Sequence, residues 1–356
     1  MLDLTAPAVD ITRTLCDIPS VSGNERALAD AVVAALEPYA HLEVIRDGDL
    51  VVARTALGRA ERVIIAGHLD TVPINDNLPT RDVVEDGEAY LWGRGTVDMK
   101  AGVAVQLKLA AELTEPVHDV TWVWYDHEEV EAAKNGLARL ARNRPDLLEG
   151  SFAILGEPSN GGIEGGCNGT LRAVVRTRGI RSHSARSWRG ENAIHFAAPI
   201  LAKLAAHTAK TIDVEGLAYR EGLNAVRISG GVAGNVIPDV CEVEINYRFA
   251  PDKTADDAVD RIRQFFDEYE VEITDLAGGA RPGLDAPIAQ SFARAVGGTP
   301  KPKYGWTDVA RFSELGIPAV NYGPGDGQLA HADDERVRVS EIEDVERGLR
   351  GWLTGA

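Results

Sequence analysis

A concentrated group of ionisable residues follows the apolar run at 120–124. The heptapeptide YDHEEVE at 125–131 contains four carboxylates and one histidine within six consecutive residues. Two interpretations are open for a buried strand that ends in so much like charge. The segment is either a solvated turn that begins a helix, or a group of acids that surrounds a positive ion.

Four other segments carry histidines or carboxylates, the first three at or near predicted strand ends and the fourth beyond the last predicted strand. They are GHLDTVP at 67–73, GRGTVDMK at 93–100, GEPS at 156–159 and QLAHADDE at 328–335. Ligands bind beyond the carboxyl ends of the strands in open parallel sheets, so side chains from these segments could converge on one crevice. The candidate metal ligands are His68, Asp98, Glu129, Glu157 and His331.

This donor set of two histidines and three carboxylates suits divalent first-row metals, particularly zinc. Two Zn²⁺ ions would offset the carboxylates, which would otherwise repel one another at close range. Taken singly, each residue has an ordinary explanation: His68 as a core histidine, Asp98 as a helix cap, and Glu157 as a loop acid. Asp70 lies two residues from His68, on the same side of an extended chain, and could fix the tautomer of its imidazole.

Other catalytic motifs are missing from the sequence. Gly93 starts like a dinucleotide-binding loop, but the sixth position of that pattern is Asp98 rather than glycine. The chain contains no P-loop lysine pattern, no G-x-S-x-G nucleophile elbow and no H-E-x-x-H helix. Metal-dependent chemistry is therefore the favoured hypothesis.

The pattern of elements predicts an α/β fold with two domains. In residues 1–169, near-continuous apolar strands alternate with helices, which indicates a mixed, mostly parallel sheet with helices on both faces. Residues 170–283 follow the order β-α-β-β-α-β, which is typical of a ferredoxin-like α+β domain. The α/β pattern resumes at 284–356, so we expect the smaller domain to be inserted into the larger, catalytic one.

Length, charge and apolar content limit the kinds of molecule that the protein is expected to bind. The 356 residues favour two domains, and the formal net charge of -18 disfavours nucleic acid, because that binding depends on neutralising phosphates. No signal peptide is recognised, and no apolar run reaches the roughly 18–20 residues that span a bilayer. We therefore expect a cytoplasmic protein without a membrane partner, whose three separated cysteines are reduced.

The motifs at 67–73, 93–102 and 156–159, the Glu128–Glu129 pair and the late His331 resemble, in order, those of the dinuclear zinc aminoacylase/deacylase metallopeptidase family. The likeness covers essentially the whole chain, including GIRSHSA at 179–185 and GNVIP at 234–238. It implies two bound Zn²⁺ ions, which Co²⁺ can replace. By position it assigns one ion to His68 and Glu157, the other to Glu129 and His331, and the bridge between them to Asp98.

The resemblance also implies roles for three further residues. Asp70 would orient His68, Glu128 would act as the general acid–base, and His183 would donate a hydrogen bond to the oxyanion. In relatives this last histidine comes from the partner subunit, so we expect a homodimer whose inserted domain serves as lid and dimerisation domain. His183 could also be an ordinary loop histidine. A cis peptide is expected at Asp98–Met99, and the other ionisable residues of 125–131 receive no role.

Within the family, the segments at 304–312 and 323–331 are most similar to the actinobacterial succinyl-diaminopimelate desuccinylases. That likeness implies hydrolysis of N-succinyl-LL-2,6-diaminopimelate to succinate and LL-2,6-diaminopimelate, a step of lysine and diaminopimelate biosynthesis. A substrate with several carboxylates favours forked guanidinium groups, although each arginine could equally belong to a surface ion pair. The candidate substrate-binding residues are Asn235, Arg248, Thr307, Arg311 and Gly325.

Two departures from the proteobacterial desuccinylases affect the substrate prediction. Those enzymes have Thr-Ser-Asp-Gly-Arg-Phe where this chain has TDVARF at 307–312, and an asparagine at the position of Gly327. Acetylornithine deacetylase, or another N-acyl-amino-acid deacylase or carboxypeptidase of the family, is therefore the alternative enzyme. An inactive metal-binding scaffold is the alternative of another class, but it predicts loss of Glu128 or of a ligand, and all of these residues are present.

Overall fold

The computed structural model describes residues 2–356, which fold into two compact units. The first unit contains the residues up to Gly165 together with Pro282–Lys301 and Arg311–Ala356. The second contains Gly166–Arg281 and Pro302–Ala310. The last of these segments was expected in the larger domain. The roles of lid and dimerisation domain stay predictions.

The first unit is built on a mixed eight-stranded sheet, which confirms the predicted α/β class. Its spatial order is Glu43–Asp47, Leu50–Arg54, Asp119–Tyr125, Arg62–His68, Phe152–Leu155, Ala319–Asn321, Glu164–Gly165 and Lys301–Pro302. The third to sixth strands of this order pair in parallel. Antiparallel pairs flank these strands on both sides. On one side, the first two strands form a tight hairpin whose second strand pairs antiparallel with Asp119–Tyr125. On the other side, Glu164–Gly165 pairs antiparallel with Ala319–Asn321. A second, three-stranded sheet contains Arg336–Arg338, Glu88–Trp92 and Arg81–Glu85.

Helices cover this sheet on both faces, as the strand Asp119–Tyr125 indicates by being buried at all of its seven residues. The helices are Ala8–Cys16, Arg26–Leu36, Lys100–Glu112, Gly136–Asn143, Pro287–Val296 and Val339–Thr354, with a 3-10 turn at Pro145–Leu148. The short helix Val309–Glu314 begins in the second unit and ends in the first. Lys100–Glu112 is buried along nearly its whole length. Its first turn packs so closely that a Cβ at Gly102 would lie 2.3 Å from the carbonyl oxygen of Gly156. Glycine at this position therefore lets the helix begin beside the end of a central strand.

The second unit has the predicted ferredoxin-like order. Its antiparallel sheet runs Gly222–Gly230, Val240–Phe249, Gly169–Arg178 and Glu270–Ala277, and its helices are Ala193–Phe196, Ala198–Ala205 and Ala255–Phe265. Burial alternates along Val240–Phe249, so one face of the sheet forms a core with the helices. Smaller elements were not predicted. They are the hairpin Thr211–Val214 with Leu217–Arg220, the short pair Ser182–His183 with Val236–Ile237, and a 3-10 segment at Ser184–Arg189.

Within residues 2–356, no helix is both long enough and apolar enough to cross a bilayer. The cysteines Cys16, Cys167 and Cys241 are all buried and carry free thiols.

Candidate metal centre

The register of the central strands brings the predicted ligands to one end of the sheet. His68 ends its strand opposite Tyr125, which directly precedes the acidic segment. On the other side, Ala66 pairs with Leu155, so His68 and Glu157 lie two residues beyond a matched pair. Asp98 comes just before the helix Lys100–Glu112, and the Asp98–Met99 peptide is cis, as expected. Segments far apart in sequence therefore meet at the carboxyl ends of the parallel strands.

Four of the five predicted ligands are in direct contact. The two oxygens of Asp98 face different histidines: Oδ1 lies 3.0 Å from Nε2 of His68, and Oδ2 lies 3.3 Å from Nε2 of His331. Nε2 of His331 is also 3.0 Å from Oε1 of Glu129. Ligand atoms of His68, Asp98 and Glu129 all lie within 4.8 Å of one another. Glu157 is buried at the same end of the sheet. The arrangement can hold cations, and the ligand assignment itself remains a prediction.

The electrostatics of this cluster favour positive charge. Burial would lower the pKa of His68, but hydrogen bonding to Asp98 and the charges of Asp98, Asp70 and Glu128 raise it well above its usual value. Hydrogen bonds to Asp98 and then Glu129 raise the pKa of His331 to about 10. Burial acts to raise the pKa of Asp98, yet the two histidines hold it below its usual range. A field that retains protons on imidazoles will also retain divalent cations, and nitrogen and oxygen donors suit zinc. The residues therefore fit the implied metals.

Asp70 supports the cluster in a way that the spacing of two residues did not reveal. Nδ1 of His68 lies 3.0 Å from the carbonyl oxygen of Asp70 but 3.6 Å from its carboxylate. Because a carbonyl only accepts, Nδ1–H donates to it, and in the protonated ring Nε2–H donates to the carboxylate of Asp98. The carboxylate instead accepts the backbone N–H groups of Glu128 and Glu129, each at 3.0 Å, and the hydroxyl of Ser22 at 2.6 Å.

The rest of the acidic segment is held by partners that the sequence did not suggest. Asp126 is buried and accepts two hydrogen bonds from Arg139, at 2.7 and 3.1 Å, while Nδ1 of His127 lies 2.7 Å from its Oδ2. His127 adopts a positive φ of 58°, and its N–H donates to buried Glu25 at 3.2 Å. These residues hold the turn that presents Glu128. Only the fold reveals these contacts, because Glu25 lies 102 residues before His127 and Arg139 lies within the next helix, Gly136–Asn143.

Two predicted residues of the second unit, His183 and Asn235, are neighbours. His183 pairs with Val236 in a short antiparallel ladder, and the carbonyl of Asn235 accepts the N–H of Ser184 at 2.9 Å. His183 is exposed, and its Nδ1 accepts the N–H of Ala185 at 3.1 Å. In the neutral ring the proton therefore resides on Nε2, which leaves that N–H as a hydrogen-bond donor.

Arg248 is the predicted substrate arginine for which the described residues provide no ionic partner. It lies on the strand Val240–Phe249, and among the described residues no carboxylate is within ion-pair distance of its guanidinium. Burial, followed by the like charge of Arg172, lowers its pKa. Thr307 is buried, and its carbonyl lies 3.7 Å from Sγ of Cys167.

The other two predicted substrate residues belong to the first unit. Arg311 lies in the helix Val309–Glu314, 3.6 Å from Glu314. Gly325 has a φ of 98°, and a Cβ there would lie 3.1 Å from the side chain of Val97. Gly325 therefore approaches the residue that precedes Asp98 as only glycine can.

The sequence of the chain is similar to those of several known proteins. The sequence profile of peptidase family M20/M25/M40 matches residues 64–354. A Mycobacterium tuberculosis (strain ATCC 25618 / H37Rv) protein assigned provisionally as succinyl-diaminopimelate desuccinylase DapE is 53% identical over 358 residues, covering 100% of both chains. The succinyl-diaminopimelate desuccinylase of Corynebacterium glutamicum is 46% identical over 364 residues, covering 99% of this chain and 98% of its own.

Solved structures show the same fold at low sequence identity. Aminopeptidase PepT from Bacillus cereus superposes with a TM-score of 0.79 at 18% identity, covering 99% of this chain and 98% of its own. The Bacillus subtilis YXEP protein, a dinuclear metal-binding peptidase, gives a TM-score of 0.73 at 18% identity, covering 98% and 96%. These two similarities establish the architecture of the chain.

Proposed function

The chain belongs to peptidase family M20/M25/M40, and from this premise we propose that it hydrolyses N-succinyl-LL-2,6-diaminopimelate to succinate and LL-2,6-diaminopimelate. The observation that carries the proposal is the contact of Asp98 with both His68 and His331, in a chain 46% identical to a desuccinylase. We further propose two Zn²⁺ ions, replaceable by Co²⁺, and a cytoplasmic location that fits the three unbridged cysteines.

The proposed ligand arrangement follows the contacts of the cluster. His68 and Glu157 would hold one ion, Glu129 and His331 the other, and Asp98 would bridge them. Bound zinc ions supply a water of lowered pKa and polarise the amide carbonyl. His68 fits this assignment because its Nδ1–H is engaged by the carbonyl of Asp70, which leaves Nε2 free of a proton in the neutral ring.

Residues of the chain would transfer the protons of the reaction and stabilise the oxyanion. Glu128 takes a proton from the attacking water and delivers it to the leaving amine, a shuttle that typically contributes about 10²–10⁴-fold. Its backbone is fixed by the carboxylate of Asp70, which supports a constant position through both transfers. Nε2–H of His183 would donate to the oxyanion, a role that the acceptance of the Ala185 N–H by Nδ1 supports.

The substrate is tested by direct comparison. We expect the zinc-loaded enzyme to prefer succinyl-diaminopimelate over acetylornithine, and Arg248→Met to lower kcat/KM for the succinyl substrate by roughly 10–100-fold, the worth of a hydrogen bond to a charged group. Arg178→Met is the matched control, because Arg178 lies on the neighbouring strand and pairs with Glu270 at 2.8 Å. Steady-state kinetics checks both. A preference for acetylornithine would replace the substrate assignment, and no turnover of any acylated amino acid would favour the inactive scaffold.

A homodimer is the proposed assembly, with His183 acting across the interface. Its support is an exposed apolar surface at the edge strand Gly222–Gly230, where Val226 and Ile228 are 57% and 48% exposed. Ile194, 41% exposed, adjoins it, since a Cβ at Gly230 would lie 3.0 Å from the Ile194 side chain. An open edge with apolar side chains is a template for pairing with a second copy.

Ile228→Asp is expected to convert the dimer to a monomer, because a charge on this edge opposes strand pairing. Light scattering after size-exclusion chromatography measures the mass. Val84→Asp is the control, because Val84 is 73% exposed on a strand of the first unit. A dimer that survives Ile228→Asp, or is lost equally in Val84→Asp, would remove this interface. Loss of activity together with the dimer supports a contribution of His183 in trans.

A further inference from the structure

Two segments that carry predicted ligands are joined side by side in the first unit. The strands Glu88–Trp92 and Arg336–Arg338 pair antiparallel, with Trp92 opposite Arg336. The ladder extends one step further, since the N–H of Gly93 donates to the carbonyl of Glu335 at 2.9 Å. The segment that leads to Asp98 therefore runs beside the segment that leads back to His331.

A buried ion pair connects these segments. Arg94 and Glu335 have side chains only 4% and 1% exposed, and Nη1 of Arg94 lies 2.8 Å from Oε2 of Glu335. The second carboxylate oxygen, Oε1, accepts the backbone N–H groups of Val97 at 2.9 Å and Asp98 at 3.1 Å. Nη2 of Arg94 approaches the carbonyl oxygen of His331 at 3.4 Å.

This pair is costly in a purely structural role. A buried ion pair gains little stability over apolar side chains of similar volume, because both charges lose their hydration. Glu335 also adds negative charge next to Asp98, where carboxylates already accumulate. Its geometry offers a different benefit. One carboxylate fixes the backbone of Asp98, and the arginine bound to that carboxylate also reaches the backbone of His331.

We propose that Arg94 and Glu335 are positioning residues that set the distance between Asp98 and His331 and thereby the affinity for the metal ion that both would hold. The inference rests on the ligand assignment of the proposed function. Of the residues assigned to the other ion, which are His68, Glu157 and the bridging Asp98, only Asp98 is contacted by the Arg94–Glu335 pair. Disturbing the pair should therefore weaken one ion more than the other.

Titration of the metal-free protein with Zn²⁺ in the presence of a competing chelator tests the inference. The wild type should bind two ions. Glu335→Gln keeps the shape of the side chain but loses its charge, and we expect one ion to bind roughly 10–100-fold more weakly, the usual effect of losing a partner behind a ligand. Arg94→Lys keeps the charge but not the reach to His331, and we expect a smaller loss at the same ion.

Asp119→Asn is the matched control. Asp119 is also a buried carboxylate that anchors a loop, because it accepts the N–H groups of Leu57 and Arg59, each at 2.8 Å. It begins the strand Asp119–Tyr125, at the end remote from the cluster. Wild-type affinity for both ions in Glu335→Gln, or an equal loss in Asp119→Asn, would overturn the inference. If Glu335→Gln does not fold, as judged by circular dichroism, Arg94→Lys decides in the same way.

The titration separates this inference from the proposed function, because it requires no substrate. A wild type that binds two ions without releasing succinate contradicts the desuccinylase assignment and leaves the positioning pair intact. A wild type that releases succinate, with a Glu335→Gln variant that binds zinc normally, contradicts only the positioning pair.

Discussion

Glu128→Gln should lower kcat by about 10²–10⁴-fold while both metal ions stay bound, because glutamine keeps the size of the side chain but cannot carry a proton. The backbone N–H of Glu128 remains available to Asp70, so the turn should keep its position. Steady-state kinetics on the zinc-loaded variant, together with elemental analysis of its metal content, measures both parts of the result.

Glu131→Gln is the control within the same acidic segment. Glu131 has a side chain that is 73% exposed and pairs with Lys134 at 2.9 Å, so its replacement should leave kcat unchanged. Full activity in Glu128→Gln with two ions bound would rule out Glu128 as the proton carrier. Equal losses in the two variants would show that the charge of the segment matters rather than one carboxylate.

Asp98→Asn should abolish tight binding of both ions and with it the activity. The neutral amide preserves shape but removes the charge that faces His68 through one oxygen and His331 through the other. We expect the affinity for zinc to fall by more than the roughly 10–100-fold that follows loss of a partner behind a ligand. Metal content after dialysis and thermal unfolding with and without Zn²⁺ measure the effect, since a bound ion stabilises the folded state by mass action.

Asp82→Asn controls for the change of charge, because Asp82 is 75% exposed and pairs with Arg13 on the surface. It should retain zinc, activity and the thermal shift on adding zinc. An Asp98→Asn protein that keeps two ions through dialysis would refute the bridging role. One retained ion would assign Asp98 to a single metal.

The sequence predicts the larger elements well, because their hydrophobic patterns persist over many residues. The order of strands and helices in Gly166–Arg281 follows directly from that periodicity. The hairpin Thr211–Val214 with Leu217–Arg220 escaped prediction although its turn leaves a trace: Glu215 and Gly216 have φ angles of 54° and 83°. Glu-Gly is a weaker turn signal than Asn-Gly, so the strands on either side were not paired.

The candidate site was likewise predictable only in part. The types of its ligands could be read from short motifs, because most of these motifs lie at or near predicted strand ends. Their supports could not, since Arg94 and Glu335 are 241 residues apart and only the tertiary fold brings them together. Even local spacing misled in detail: the carbonyl of Asp70, rather than its carboxylate, is the nearer partner of His68.

The carboxylate of Asp70 has a consequence for how this protein can change during evolution or engineering. It holds the backbone of the proposed proton carrier, Glu128, with one oxygen and that of the proposed ligand, Glu129, with the other. Any shift of this support moves both residues together. A descendant that lost catalysis but kept its metals would therefore have to alter the chemical identity of residue 128, since displacing it would also disturb the ion next to it. Proton transfer and metal binding are thus separable by substitution but not by local movement of the chain.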